Sequence, residues 1–117
     1  NVTDGGMKCI GQLKNLEKIG LSWRPITDDG IKELRKIKSL KLLSIDGIEI
    51  SDVGIEYLTV HKDLWFLSIM RTKVTDDCID DLASFTNLEE LWIRDTEIST
   101  EGAQKLRDLL PDCNIHY

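Results

Sequence analysis

The residues best equipped for chemistry in this chain are three cysteines, Cys9, Cys78 and Cys113, and two histidines, His61 and His116. Thiolates and imidazoles attack carbonyls, carry protons and bind metals, and each of those tasks constrains spacing. The cysteines stand 69 and 35 residues apart, which matches neither a disulfide framework nor the close ligand pairs of a zinc site. Cys113 and His116 have a ligand-like spacing, but in a strand residues three apart face opposite ways, and zinc wants more donors than this neighbourhood supplies. The acids form no recurring facing pair of the kind a two-carboxylate hydrolase uses, and no glycine loop is built to cradle phosphate. The expectation is a protein that is not an enzyme and uses no cofactor or metal.

Bulk properties narrow the partners. With 117 residues and 41% apolar content the chain suits one modest domain with a core. Its 15 Lys and Arg against 21 Asp and Glu give a net charge of −6, which opposes indiscriminate binding to nucleic acid or anionic lipid. Lys18, Arg71 and Arg94 are only a thin basic set, so no nucleic-acid partner is expected. The longest apolar run is the four residues Leu64 to Leu67, far below the roughly 20 needed to cross a bilayer. Unpaired thiols agree with a cytoplasmic or other reducing compartment. The chain opens at Asn1 in mid-pattern, which points to upstream repeats or a removed leader, and so to the C-terminal part of a longer protein.

That pattern is a repeat. Val2-Thr3-Asp4, Ile26-Thr27-Asp28, Ile50-Ser51-Asp52, Val74-Thr75-Asp76 and Ile98-Ser99-Thr100 begin 24 residues apart. Five units result, over residues 2–25, 26–49, 50–73, 74–97 and 98–117. Ile31, Leu34, Ile37, Leu40, Leu43 and Ile45 in the second unit recur as Ile79, Leu82, Phe85, Leu88, Leu91 and Ile93 in the fourth. Only His61 and Asp112 interrupt seven such apolar columns. Spacing by three, as in Ile31, Leu34 and Ile37, predicts a helical stripe, and spacing by two, as in Leu43 and Ile45, predicts a short strand with one buried face.

Thr27, Ser51, Thr75 and Ser99 stand where a helix N-cap belongs, followed by acids suited to the positive end of the helix dipole. Gly6, Gly30, Gly54 and Gly102 mark tight helix starts where a side chain would press on the neighbouring turn. Neither apolar face of one unit can be buried alone, so the units must stack. Strands about 4.8 Å apart beside helices about 10 Å wide would curve the stack toward the strands. His61 shares its column with Leu13, Ile37, Phe85 and Leu109, and reads as a packed core histidine hydrogen-bonded to a backbone group. Cys78, in place of glycine at the next helix start, falls at the opposite end of the neighbouring helix, beyond the roughly 3 Å a thiol–imidazole pair needs.

Leu88-Glu89-Glu90-Leu91-Trp92-Ile93-Arg94-Asp95-Thr96 and Leu64-Trp65-Phe66-Leu67-Ser68-Ile69-Met70-Arg71-Thr72 resemble the leucine-rich-repeat signature L-x-x-L-x-L-x-x-N/C/T. The Ile-Thr-Asp-x-Gly start is similar to the cysteine-containing subclass, also found in F-box adaptor proteins, and to the bacterial subclass. The resemblance covers essentially the whole chain. It implies an α/β, right-handed leucine-rich-repeat solenoid with a concave parallel sheet and convex helices. Arg24 and Ile48 depart from it, where Asn, Cys or Thr usually bonds across the turn, so irregular turns are expected there. The fifth unit, with Asp112 in a leucine column, resembles a terminal repeat, whereas the amino end lacks a comparable polar cap and offers an edge for contact.

The family's binding implies use of the residues between the strand leucines. Among them Leu42, Phe66, Met70 and Trp92 put apolar area on a face expected to be wet, edged by Arg71, Glu90, Arg94 and Asp95. The expected role is protein–protein recognition through those eight residues. The alternatives are side chains that merely shield the sheet, a bracing segment of a larger protein, or an accessory domain of an enzyme outside this chain. Trp65 reads mainly as a packed turn residue, and the direction of Trp23 depends on how its turn closes.

Overall fold

The computed structural model describes residues 2–117; Asn1, where the sequence opens, lies outside them. Five three-residue strands, β1 (Lys18–Gly20), β2 (Leu42–Ser44), β3 (Phe66–Ser68), β4 (Glu90–Trp92) and β5 (Asn114–His116), form one parallel sheet in chain order. Each strand residue pairs with the one 24 positions later, as in Leu42 with Phe66 and Phe66 with Glu90. The central residue of each strand, from Ile19 through Leu67 to Ile115, is buried, because alternate side chains leave opposite faces of a strand. The result is an α/β solenoid-like stack of alternating parallel strands and helices, 38 × 24 × 17 Å in extent.

The helices form the other layer: α1 (Asp4–Ile10), α2 (Asp28–Lys32), α3 (Asp52–Leu58), α4 (Ile79–Ala83) and α5 (Thr100–Leu109). A 3-10 turn, Glu33–Lys36, extends α2, and its three residues per turn keep Ile31, Leu34 and Ile37 on one buried face. As expected, Thr27, Ser51, Thr75 and Ser99 cap their helices, each hydroxyl accepting a first-turn amide at 3.0–3.3 Å.

The acid that follows Thr3, Thr27, Ser51 and Thr75 does more than face the dipole. Asp4, Asp28, Asp52 and Asp76 each accept both the amide and the hydroxyl hydrogen of the next unit's cap residue, Thr27, Ser51, Thr75 and Ser99, at 2.5–2.9 Å. A two-bond clasp thus ties every unit to its successor, and a charged acceptor makes each bond stronger than a neutral one. The paired bonds from Ser99 hold the Asp76 carboxyl below its ordinary range. The same carboxylates explain the glycines. A Cβ on Gly30, Gly54 or Gly102 would fall well inside contact distance of Asp4, Asp28 or Asp76, while Gly6 has open space around it. Cys78 occupies this column beside Asp52, and there the helix begins as a 3-10 turn, Asp76–Cys78. Burial, then the Asp52 carboxylate, pushes its thiol up, so it is inert at neutral pH.

Three expectations need correcting. Leu13 and Leu109 are 53% and 47% exposed, so their column is buried only in the inner units. At the last helix the cause is pitch: α5 is regular α-helix throughout, so the stripe from Leu106 continues to Leu110, four residues on, and Leu109 turns outward. Asp112 is accordingly exposed, with Leu110 buried in its stead. His61 is buried as expected, but neither ring nitrogen has a hydrogen-bond partner; the nearby Leu34 carbonyl falls outside bonding geometry. The turns at Arg24 and Ile48 are regular after all, since Trp23, Gly47, Arg71 and Asp95 close the four turns with φ of 64°, 68°, 56° and 59°. Thr72 and Thr96 add a hydroxyl bond across their turns at 2.7 and 2.8 Å; Ile48 is instead buried.

Candidate functional site

The outward side of the sheet and the turns that follow β3 and β4 carry the eight residues singled out in the sequence. Leu42, Phe66 and Glu90 stand in one lateral column, and Trp92 follows Ser68 in the next, the register that the repeat interval implies. Leu42, Phe66, Glu90, Trp92 and Met70 are half-buried, while Arg71, Arg94 and Asp95 are exposed. Trp65 is also exposed and meets the Phe66 ring edge-on at 5.8 Å between centroids.

Beyond the strand ends the backbone ladder continues into the turns. Trp23 N donates to Asp46 O at 2.8 Å, Gly47 N to Met70 O at 2.8 Å and Arg71 N to Arg94 O at 3.0 Å. Side chains reinforce it: Ser22 accepts from the Asp46 amide at 3.1 Å, and Asp46 Oδ1 accepts from Ser68 Oγ at 2.6 Å and from the Met70 amide at 2.8 Å. This explains why Ser68 is buried on a face expected to be wet. The Asp46 carboxylate is tied down by the sheet itself.

A cleft of about 380 Å³ opens over these turns. Met70 and Arg71 from the third unit and Trp92, Arg94 and Asp95 from the fourth line it, together with Trp23 and Asp46. Five of the eight singled-out residues thus come together, whereas Leu42, Phe66 and Glu90 lie outside this cleft. Trp23 and Asp46 belong to the positions between the strand leucines but stand outside the eight residues singled out, because their nearness to Met70 and Arg71 is a cross-strand relation. The available signal was the offset from the repeat start that Asp46 shares with Met70 one unit later and Trp23 with Arg71 two units later.

The two indoles are held differently. Trp23 is 62% exposed, lies over the bare Gly47 backbone, which leaves no room for a Cβ, and carries the Arg71 guanidinium 5.6 Å from its ring. Trp92 stacks on His116 with centroids 3.5 Å apart and planes 10° off parallel, and has Arg94 at 5.8 Å. Its buried Nε1 has no hydrogen-bond partner. His116 Nε2 lies 2.9 Å from Glu90 Oε1, a bond that holds the Glu90 carboxyl below its ordinary range. Burial and the Glu90 carboxylate push the Cys113 thiol up to about 11, so it stays protonated near neutrality and is no nucleophile. Among the described residues no three His, Cys, Asp or Glu side chains gather to hold a metal ion, and no helix is long and apolar enough to cross a membrane.

No family model matches the chain, nor does any curated protein sequence. Solved structures do. A leucine-rich-repeat protein of Leptospira interrogans aligns over 94% of this chain at 21% identity and TM-score 0.65. Internalin C2 of Listeria monocytogenes aligns over 83% at 30% identity and TM-score 0.70. The chain has a leucine-rich-repeat-like fold. A third likeness, to actin-binding site 2 of leiomodin-1, covers 97% of this chain and 77% of that one at 14% identity and TM-score 0.68, and extends the fold alone. The chain spans 33% and 41% of the first two proteins. In this fold the side chains between the strand leucines form an open surface, suited to contact with another macromolecule.

Proposed function

We infer that this chain is a non-catalytic protein-recognition module which engages its partner through the exposed face of the sheet. The observation that carries the reading is the gathering of Trp23, Met70 and Trp92 with Arg71 and Arg94 in one open cleft. Aromatic and Arg side chains are the groups that most often carry binding energy at interfaces. Leu42, Phe66 and Glu90 continue the surface along the strands, with Asp95 at its rim. On this reading the stack is right-handed, its sheet side concave, its five units run over residues 2–25, 26–49, 50–73, 74–97 and 98–117, and it works in a reducing compartment. The Ile-Thr-Asp-x-Gly starts ally it with the cysteine-containing and bacterial subclasses, and the amino edge offers a second contact.

The test is affinity capture with the full chain as bait, beside an Arg71→Ala/Arg94→Ala double variant shown to be folded. The reading expects a protein captured by the natural chain and lost by the variant, then verified as a purified partner by calorimetric titration. Capture that is indifferent to the cleft counts against this site, and absence of any direct protein partner counts against recognition.

A further inference from the structure

The charges around the cleft are unequal in what they leave available. Asp46 is anchored through Oδ1, which accepts from both the Ser68 hydroxyl and the Met70 amide. Arg71 meets Asp95 through Nε alone, at 3.4 Å, with the two side chains 62% and 68% exposed, a pair worth little in water. Arg94 makes no ion pair among the described residues. The two arginines adjoin, since the amide of one donates to the carbonyl of the other, and each lies against an indole. Trp23 and Arg71 hold φ of 64° and 56° because the turn closes this way in each of the four units, with Gly47 and Asp95 at 68° and 59°; the shared conformation sets both side chains on the same edge of the cleft, and glycine at Gly47 shows that the turn itself needs neither of them.

We propose that the cleft clamps an acidic peptide segment: Arg71 and Arg94 take the carboxylate of one Asp or Glu, and the apolar side chain beside it lies on Trp23 and Met70. This rests on the recognition reading of the same site and adds the chemistry of the partner. A planar guanidinium donates two parallel N–H bonds to a carboxylate, and a cleft of about 380 Å³ suits a pair of side chains rather than a domain surface. The chain's net charge of −6 does not forbid it, because at physiological salt distant acids are screened beyond about 8 Å; within the cleft Asp46 and Asp95 balance the two guanidiniums, so the clamp rests on their free N–H donors rather than on net charge.

The probe is a displayed library of short random peptides, selected on the full chain, with the enriched peptides resynthesised and titrated by calorimetry. The proposal expects enrichment of Asp or Glu next to an aromatic or branched aliphatic residue. It expects affinity to fall about tenfold or more for Arg94→Ala and for Arg71→Gly, and to recover in part when Arg94→Glu meets a peptide whose acid is changed to Lys. Arg71→Gly keeps the test independent of folding, because glycine suits that backbone and its Tm should be equal or higher. Peptides that need Trp23 and Met70 but neither arginine overturn the acidic clamp and leave recognition standing. Enrichment of basic peptides also overturns the clamp. Peptides indifferent to every cleft residue, or no enrichment at all, overturn the clamp and remove the cleft as the peptide site.

Discussion

His61 shows how one polar residue in an apolar column sets a pH dependence. Burial, with Lys38 nearby, holds its pKa down to about 4, against about 6.5 in the unfolded chain. The unfolded state therefore binds the proton first as pH falls. Stability from the neutral ring is complete above about pH 6.5 and is lost toward pH 4, by at most about 3 kcal/mol. His61→Leu should remove that slope, and urea unfolding at pH 7 and pH 5 should show wild type losing more than the variant. Equal losses would mean that the ring is solvated or paired. At neutral pH the same change should stabilise the fold, because two ring nitrogens lacking partners are removed from the core. The column position was legible in the sequence; the missing hydrogen bond was not, since it depends on which carbonyls the 3-10 turn leaves within reach. A second residue-scale outcome concerns strain. Arg71→Gly should leave chemical stability unchanged or raise it by up to about 1 kcal/mol, the released φ strain set against a weak exposed ion pair. A loss of more than that would show Arg71 to be a structural residue.

At the scale of elements, the helices are held at their starts more than by their length. Five-residue helices such as α2 and α4 are too short to persist alone; cap and clasp bonds fix where α2 begins and where the 3-10 turn that leads into α4 begins. Thr27→Ala removes the cap oxygen from the Asp29 amide and one of two bonds to Asp4, and should cost about 1 kcal/mol or slightly more. Asp28→Ala strands the Ser51 amide and hydroxyl together and should cost about 2 kcal/mol, read as a lower urea midpoint. If Asp28→Ala proved harmless while Thr27→Ala was costly, the caps would act within units only. The cap positions could be read from sequence because Thr or Ser recurs before each apolar stripe. The clasp was hidden because an acid in a first helical turn already has a local explanation. Its trace was the strictness of the column: acids recur at Asp4, Asp28, Asp52 and Asp76, whereas the next position varies between Gly5, Asp29, Val53 and Asp77. The exposure of Leu109 was hidden for a different reason, since a spacing of three cannot tell 3-10 from α pitch.

For the molecule as a whole, the stack separates residues that hold the fold from those that face outward. Leu67 and Leu91 lie wholly inside, and truncation of either to Ala should cost about 2–5 kcal/mol. Phe66 and Trp92, half-buried on the outer face, should cost the fold less, yet weaken a partner by about 2 kcal/mol or more where they are hot spots. Chemical unfolding paired with titration separates the two. Equal destabilisation by outward and inward truncations would show the sheet face to be core. The sheet register was legible because a constant interval places every strand in line. The cleft was only half legible: the repeat offset puts Trp23 in the same column as Gly47 and Arg71, but its reach over Gly47 to the Arg71 guanidinium depends on side-chain direction at the turn.

The central claim, that the sheet side and its turns are the recognition surface, is tested most directly by amide hydrogen exchange of the full chain with and without its purified partner. Protection on binding should concentrate in residues 66–71 and 90–95 and in the turn at Trp23, with helices α2, α3 and α4 unchanged. Protection confined to those helices, with the strand and turn amides exchanging as in the free chain, would contradict it.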